Sequence, residues 1–150
     1  MPQVASLYIG DPSIVSEKSL LTLNDVESVE FYEEQGRQAG FILKTSWGKV
    51  RGIFIHEQAL PHHLLDLEGL VNDDIKEEAL LTYTLSRLYH VQLGIKLSIV
   101  HSEDNELDVQ HFLLRLNNRF NSVMHIYKWL WDWDTIRLGR IGDAAVGLRR

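Results

Sequence analysis

The sequence predicts an α+β fold: a single domain in which an antiparallel meander is extended to a mixed sheet, with two long helices packed on one face. Three features carry this expectation. The stretch from Ser28 to His56 is rich in Phe, Ile, Val and Tyr, alternates apolar with polar residues, and is interrupted only by short turns. Two later segments repeat apolar residues at helical spacing, and a run of alternating aromatics follows the second of them. Period-two patterning marks strands and a period near 3.6 marks helices, so both element types are present and largely segregated along the chain.

Taken in order, Val4 to Ile9 reads as a short strand closed by Gly10, Asp11 and Pro12, and Leu20 to Leu23 fits either a strand or a helical turn. Ser28 to Glu34, Phe41 to Thr45 and Val50 to His56 then form the meander, with turns at Gln35 to Arg37 and Ser46 to Lys49. Pro61 suits the first turn of a helix, where its missing donor costs nothing, and the leucines from Leu60 to Leu70 continue the pattern until Gly69 and Asn72 weaken it. Asn72 or Asp73 caps a longer helix that ends at Gly94, with Asp74, Glu77 and Glu78 placed favourably for the helix dipole.

Ile95 to Val100 is the next strand, and Ser102 to Glu106 turns the chain into a helix running to Phe120. Its residues Val109, Phe112, Leu113, Leu116 and Phe120 make one apolar stripe, with His111, Arg115, Asn118 and Arg119 opposite. Tyr127, Trp129, Trp131 and Trp133 follow at alternate positions and would line one face of a strand, so strand, helix and strand predict a right-handed βαβ crossover. A last short strand at Ile136 to Leu138 ends the domain, 1–138. Residues 139–150, with Gly139, Gly142 and Gly147, read as a mobile or loosely docked tail.

Composition narrows the classes of function. The chain has 150 residues, 45% of them hydrophobic and 24% charged, which fits one soluble globular domain with a core of useful size. It contains no cysteine, which excludes disulfides, thiolate metal sites and cysteine nucleophiles and predicts a reducing, cytoplasmic setting. No stretch has the length and apolarity of a membrane span or a signal peptide. The net charge of −6, with base gathered toward the C-terminus, opposes nonspecific nucleic-acid binding and permits self-association.

Searches for catalytic patterns return little. There is no Gly-x-Ser-x-Gly elbow, and Gly139 to Gly142 lacks the Lys-Ser/Thr ending of a phosphate-binding loop. His56, Glu57, His62 and His63 form the densest group of metal-competent side chains, but their spacing is not that of a helical zinc motif, so neither metal nor cofactor is expected. The expectation is a non-enzymatic interaction or regulatory module, self-associating or bound to a protein partner. Its contacts would be Trp131, Trp133, Asp132 and Asp134 at the end of the aromatic strand and Arg115 and Arg119 on the helix. The alternative is a small enzyme or ligand-binding domain with a pocket near His56, Glu57, His62 and His63.

Overall fold

A computed structural model describes residues 3–126, 129–132 and 137–140, without the side chains of Gln3, Trp129, Trp131 and 137–140. The strands are β1 (Gln3–Ile9), β2 (Val26–Glu34), β3 (Arg37–Thr45), β4 (Gly48–Phe54), β5 (Leu93–His101), β6 (Val123–Ile126), β7 (Trp129–Trp131) and β8 (Arg137–Arg140). The helices are α1 (Glu17–Leu21), α2 (Leu60–Asp74), α3 (Glu78–Tyr89) and α4 (Glu106–Arg119). The α+β class and the meander β2–β3–β4 are as expected. Among the described residues, no helix is long and apolar enough to cross a membrane.

The strands form one sheet in the order β2-β3-β4-β5-β1-β6-β7-β8. Every neighbouring pair is antiparallel, so the expected mixed sheet is corrected. The crossover is nevertheless present. β5 and β6 both run antiparallel to β1, hence parallel to each other, and α4 connects them. β1, the first strand of the chain, fills the gap between them, which local patterning cannot reveal.

The aromatic strand is also corrected. Tyr127 to Trp133 does not belong to one extended strand: Met124 pairs with Trp131 and Ile126 with Trp129, so the chain reverses and β6 and β7 form a hairpin. Alternation continues through a hairpin as readily as along a strand, and no glycine or proline marks the reversal. β8 extends two residues beyond the expected domain end at 138, and 141–150 lie outside the described residues.

Helices cover both faces of the sheet rather than one. On the first face, α1 and α4 pack over Ala5, Leu7, Ile9, Leu43, Val50, Ile95, Leu97 and Ile99. The expected stripe of α4 is buried throughout, and the Phe112 ring meets Trp47 edge to face at 5.3 Å. On the opposite face, α2 and α3 cover Tyr8, Val123 and Leu130 through Leu67, Val71, Ile75 and Leu88. The break expected between Gly69 and Asn72 falls instead at Ile75, so the second helix runs over Glu78–Tyr89, and Gly94, its expected end, belongs to β5. Ile75 takes an extended conformation (φ −95°, ψ 110°) and is buried, so the chain turns there to place an apolar side chain in the core. Gly69 does not interrupt α2 because its side faces open space.

Candidate functional site

The second face of the sheet is covered at one end only. Alternation sends Val4, Ser6 and Tyr8 of β1, and Gly94, Lys96, Ser98 and Val100 of β5, to that face. Tyr8 and Gly94 lie buried beneath the helices, whereas Val4 is 59% and Val100 61% exposed. The same strands therefore run from beneath the helical layer onto bare sheet. β2, β3 and β4 add Ser28, Glu30 and Tyr32, then Ile42 and Lys44, then Lys49, Arg51 and Ile53 to the open half.

Register arranges these side chains in rows across the sheet. One row joins Ser28, Lys44, Lys49 and Val100; the next joins Glu30, Ile42, Arg51, Ser98 and Val4; a third joins Tyr32, Gly40, Ile53, Lys96 and Ser6. Four cations, Lys44, Lys49, Arg51 and Lys96, thus share an open surface with exposed aliphatics on a chain of net charge −6. Among the described residues none of the four has an ion-pair partner. Lys44 and Lys49 stand directly opposite one another, a like-charge pair that costs stability.

Tyr32 lies flat on this face. Its hydroxyl donates to the Gly52 carbonyl at 3.2 Å, and its ring covers Gly40, where a Cβ would collide with the Tyr32 hydroxyl and the Gly52 backbone. Glycine at 40 is therefore required for the ring to settle onto the sheet. The Arg51 guanidinium sits 5.6 Å from the ring centroid, a cation–π contact that holds the cation over the surface.

Beside Tyr32, the end of the β2–β3 hairpin and residues 56–58 enclose an open cleft of about 700 Å³. Arg37 and Glu57 bridge across it at 3.1 Å, both exposed. His56 is exposed and its Nδ1 accepts from the Gln58 amide at 3.1 Å, while His62 and His63 stand in the first turn of α2. Among the described residues no three His, Asp or Glu side chains come together as a metal-holding group.

Asp132 is buried, 3% exposed, and held inside the chain. Its carboxylate accepts from the Tyr83 hydroxyl and from Arg87 Nε at 3.0 Å, and Asn117 donates to its backbone carbonyl at 2.9 Å. The cation sought for Asp132 is the chain's own Arg87, which also donates to the Asn121 carbonyl at 3.1 Å. This network fastens β7 to α3 and to the end of α4. Trp133 and Asp134 lie outside the described residues, as does the side chain of Trp131.

Arg115 is paired with Asp25 at 2.7 Å, and the same carboxylate oxygen accepts from the Trp47 indole at 3.0 Å. Arg119 is exposed and lines a shallow cleft with Arg115, Asn118 and Thr22. Among the described residues, Tyr8 and Asp11 are shifted from their ordinary values. Burial raises the Tyr8 hydroxyl, partly opposed by a hydrogen bond with Ser6, and hydrogen bonds from Ser13 lower Asp11.

The residues that sequence reasoning passed over are Lys44, Lys49, Arg51 and Lys96. The signal was present: Lys49, Arg51 and Ile53 alternate with Val50, Gly52 and Phe54, and Lys96, Ser98 and Val100 alternate with Ile95, Leu97 and Ile99. What was missing was that β4 and β5 are neighbours, which unites the two sets. No protein-family model, curated protein or solved structure matches this chain.

Proposed function

We propose that this chain is a non-enzymatic protein-interaction module that docks its partner on the open half of the sheet. The observation that carries the reading is the set of unpaired cations among exposed aliphatics, with Lys44 held against Lys49. Local arrangements that oppose stability are expected where function requires them, and an anionic partner would relieve this one. Cations supply steering and specificity, while Val4, Val100, Ile42 and Ile53 supply apolar area between them. A protein fits this surface better than a nucleic acid does. Bases stack on rings, and among the described residues the aromatic of the open half is Tyr32, whose hydroxyl is tied to Gly52. A chain without cysteine suits a reducing compartment, which supports reading the module as cytoplasmic.

The test is a photo-crosslinking residue at Ser98, compared with one at Gln110 on the exposed side of α4. Adducts with protein from Ser98, absent from Gln110 and lost in a Lys49→Glu/Arg51→Glu background, are expected. Equal yields from both positions would sink the reading.

The cleft beside Arg37 and Glu57 favours a second reading, a ligand-binding domain. Its volume of about 700 Å³ lies in the range of small-molecule sites, and His56 and Glu57 of the expected group line it. A rise in melting temperature with one member of a metabolite panel, abolished by Arg37→Ala, would support it; no shift with any member would dismiss it.

A further inference from the structure

The open half of the sheet lies beside a raised layer, α2 and α3, on the same side of the molecule. The outer surface of that layer carries the opposite charge: Asp66, Asp73, Glu77 and Glu78 are exposed, and among the described residues none has an ion-pair partner. The layer also presents apolar side chains, with Leu65 of α2 64% exposed and Tyr89 of α3 81% exposed. One side of the molecule therefore combines a cationic, aliphatic recess with an acidic, apolar step. These are the two parts of a self-complementary contact.

We infer that the occupant of the open sheet is a second copy of this chain. Two copies face each other across a two-fold axis, so that the α2–α3 layer of each stands on the bare sheet of the other. The inference rests on reading the open half as a docking face and adds the identity of what docks. Lys44, Lys49, Arg51 and Lys96 of one copy then meet Asp66, Asp73, Glu77 and Glu78 of the next. Such a contact is isologous and closes at two subunits, whereas a one-sided version would build open chains.

The dimensions agree. Five strands at about 4.8 Å and three rows at about 6.8 Å give a bare surface of roughly 500 Å². Two reciprocal contacts bring this to about 1,000 Å² per copy, at the upper end of a standard specific interface. The chain's own C-terminal segment is a poorer occupant, because Arg149 and Arg150 carry the same sign as the sheet.

A charge exchange tests the inference on the full chain. One variant carries Lys49→Glu, Arg51→Glu and Lys96→Glu; the other carries Asp66→Lys, Asp73→Lys and Glu78→Lys. By sedimentation the wild type is expected to be a dimer with a dissociation constant of about 1 μM or tighter. Each variant alone should weaken by about a hundredfold or more, since like charges then face each other at both contacts. Mixed in equal amounts, the two variants should form a heterodimer, because both contacts again pair opposite charges.

Should either variant fail to fold, carbodiimide crosslinking of isotope-mixed wild type reads the same contact: Lys49 or Lys96 should join Asp66, Asp73 or Glu78 between copies. A wild type that remains monomeric at concentrations far above about 1 μM overturns the inference, as do variants that stay dimeric or no heterodimer on mixing. If the chain is monomeric while Ser98 still crosslinks another protein through the cationic face, the docking face stands and the second copy is excluded. If the chain is monomeric and Ser98 captures nothing, both fall.

Discussion

The covered and bare halves of one sheet face differ in what lies over them and hardly at all in the strands beneath. β1 places Tyr8 under the helices, 6% exposed, and two pleats away leaves Val4 on the surface. β5 does the same with Gly94 and Val100. Under the helices the contents are apolar or tightly satisfied: Val71, Leu88 and Val123, with Asp132 locked to Arg87 and Tyr83. On the bare half they include exposed aliphatics and four cations without an ion-pair partner among the described residues. A surface open to solvent tolerates mismatches that a core does not, such as Lys44 opposite Lys49.

Substitutions should fall unequally on the two halves. The largest effect is expected in the covered half, where Leu88→Ala removes a fully buried side chain between α3 and the sheet. It should cost about 2–5 kcal/mol in urea denaturation. Val100→Thr on the bare half should stay within about 0.5 kcal/mol. Equal losses at the two positions would erase the distinction. Next is Arg87→Met, which leaves the buried Asp132 carboxylate without its cation and should cost about 3 kcal/mol. A cost near that of a surface ion pair, below about 1 kcal/mol, would mean that the network does not secure β7.

Lys44→Glu sharpens the comparison because its two effects have opposite signs. Replacing a like-charge pair with an opposite one should stabilise the fold by about 0.2–1 kcal/mol while weakening association through the bare half. A loss of both stability and association would assign Lys44 a structural role. The smallest effect concerns Tyr8. Its hydroxyl is raised above 10.0 by burial, so the unfolded chain loses that proton first as pH rises. The stability contribution is complete below pH 10.0 and lost as pH climbs toward the folded value. In a spectrophotometric titration, Tyr8→Phe should remove a late-ionising component from the tyrosine curve.

Local patterns were legible wherever they determined local structure. The stripe of α4 is buried as its spacing required, since a helix with five apolar residues on one side must bury that side. The meander was equally readable, because its strands pair with their sequence neighbours through short turns. Reading failed where the outcome depended on distant partners. Val29 and Glu30 announce a half-buried strand, but nothing local separates the hairpin β6–β7 from one continuous strand. Nor does anything near Asp132 reveal Arg87, 45 residues away in the chain.

The same division separates what belongs to the sequence from what belongs to the fold. Residue types and their periodicity determined that this chain has a meander, amphipathic helices, an acidic net charge and no thiol chemistry, because propensity, burial and charge act residue by residue. The place of β1 between β5 and β6 was decided only by long-range pairing, as was the end of the sheet that α2 and α3 cover. The pairing of β4 with β5 gathers Lys44, Lys49, Arg51 and Lys96, drawn from three strands, and the placing of α2 and α3 leaves their surface bare. No single segment holds that surface, since it exists only where three strands lie side by side.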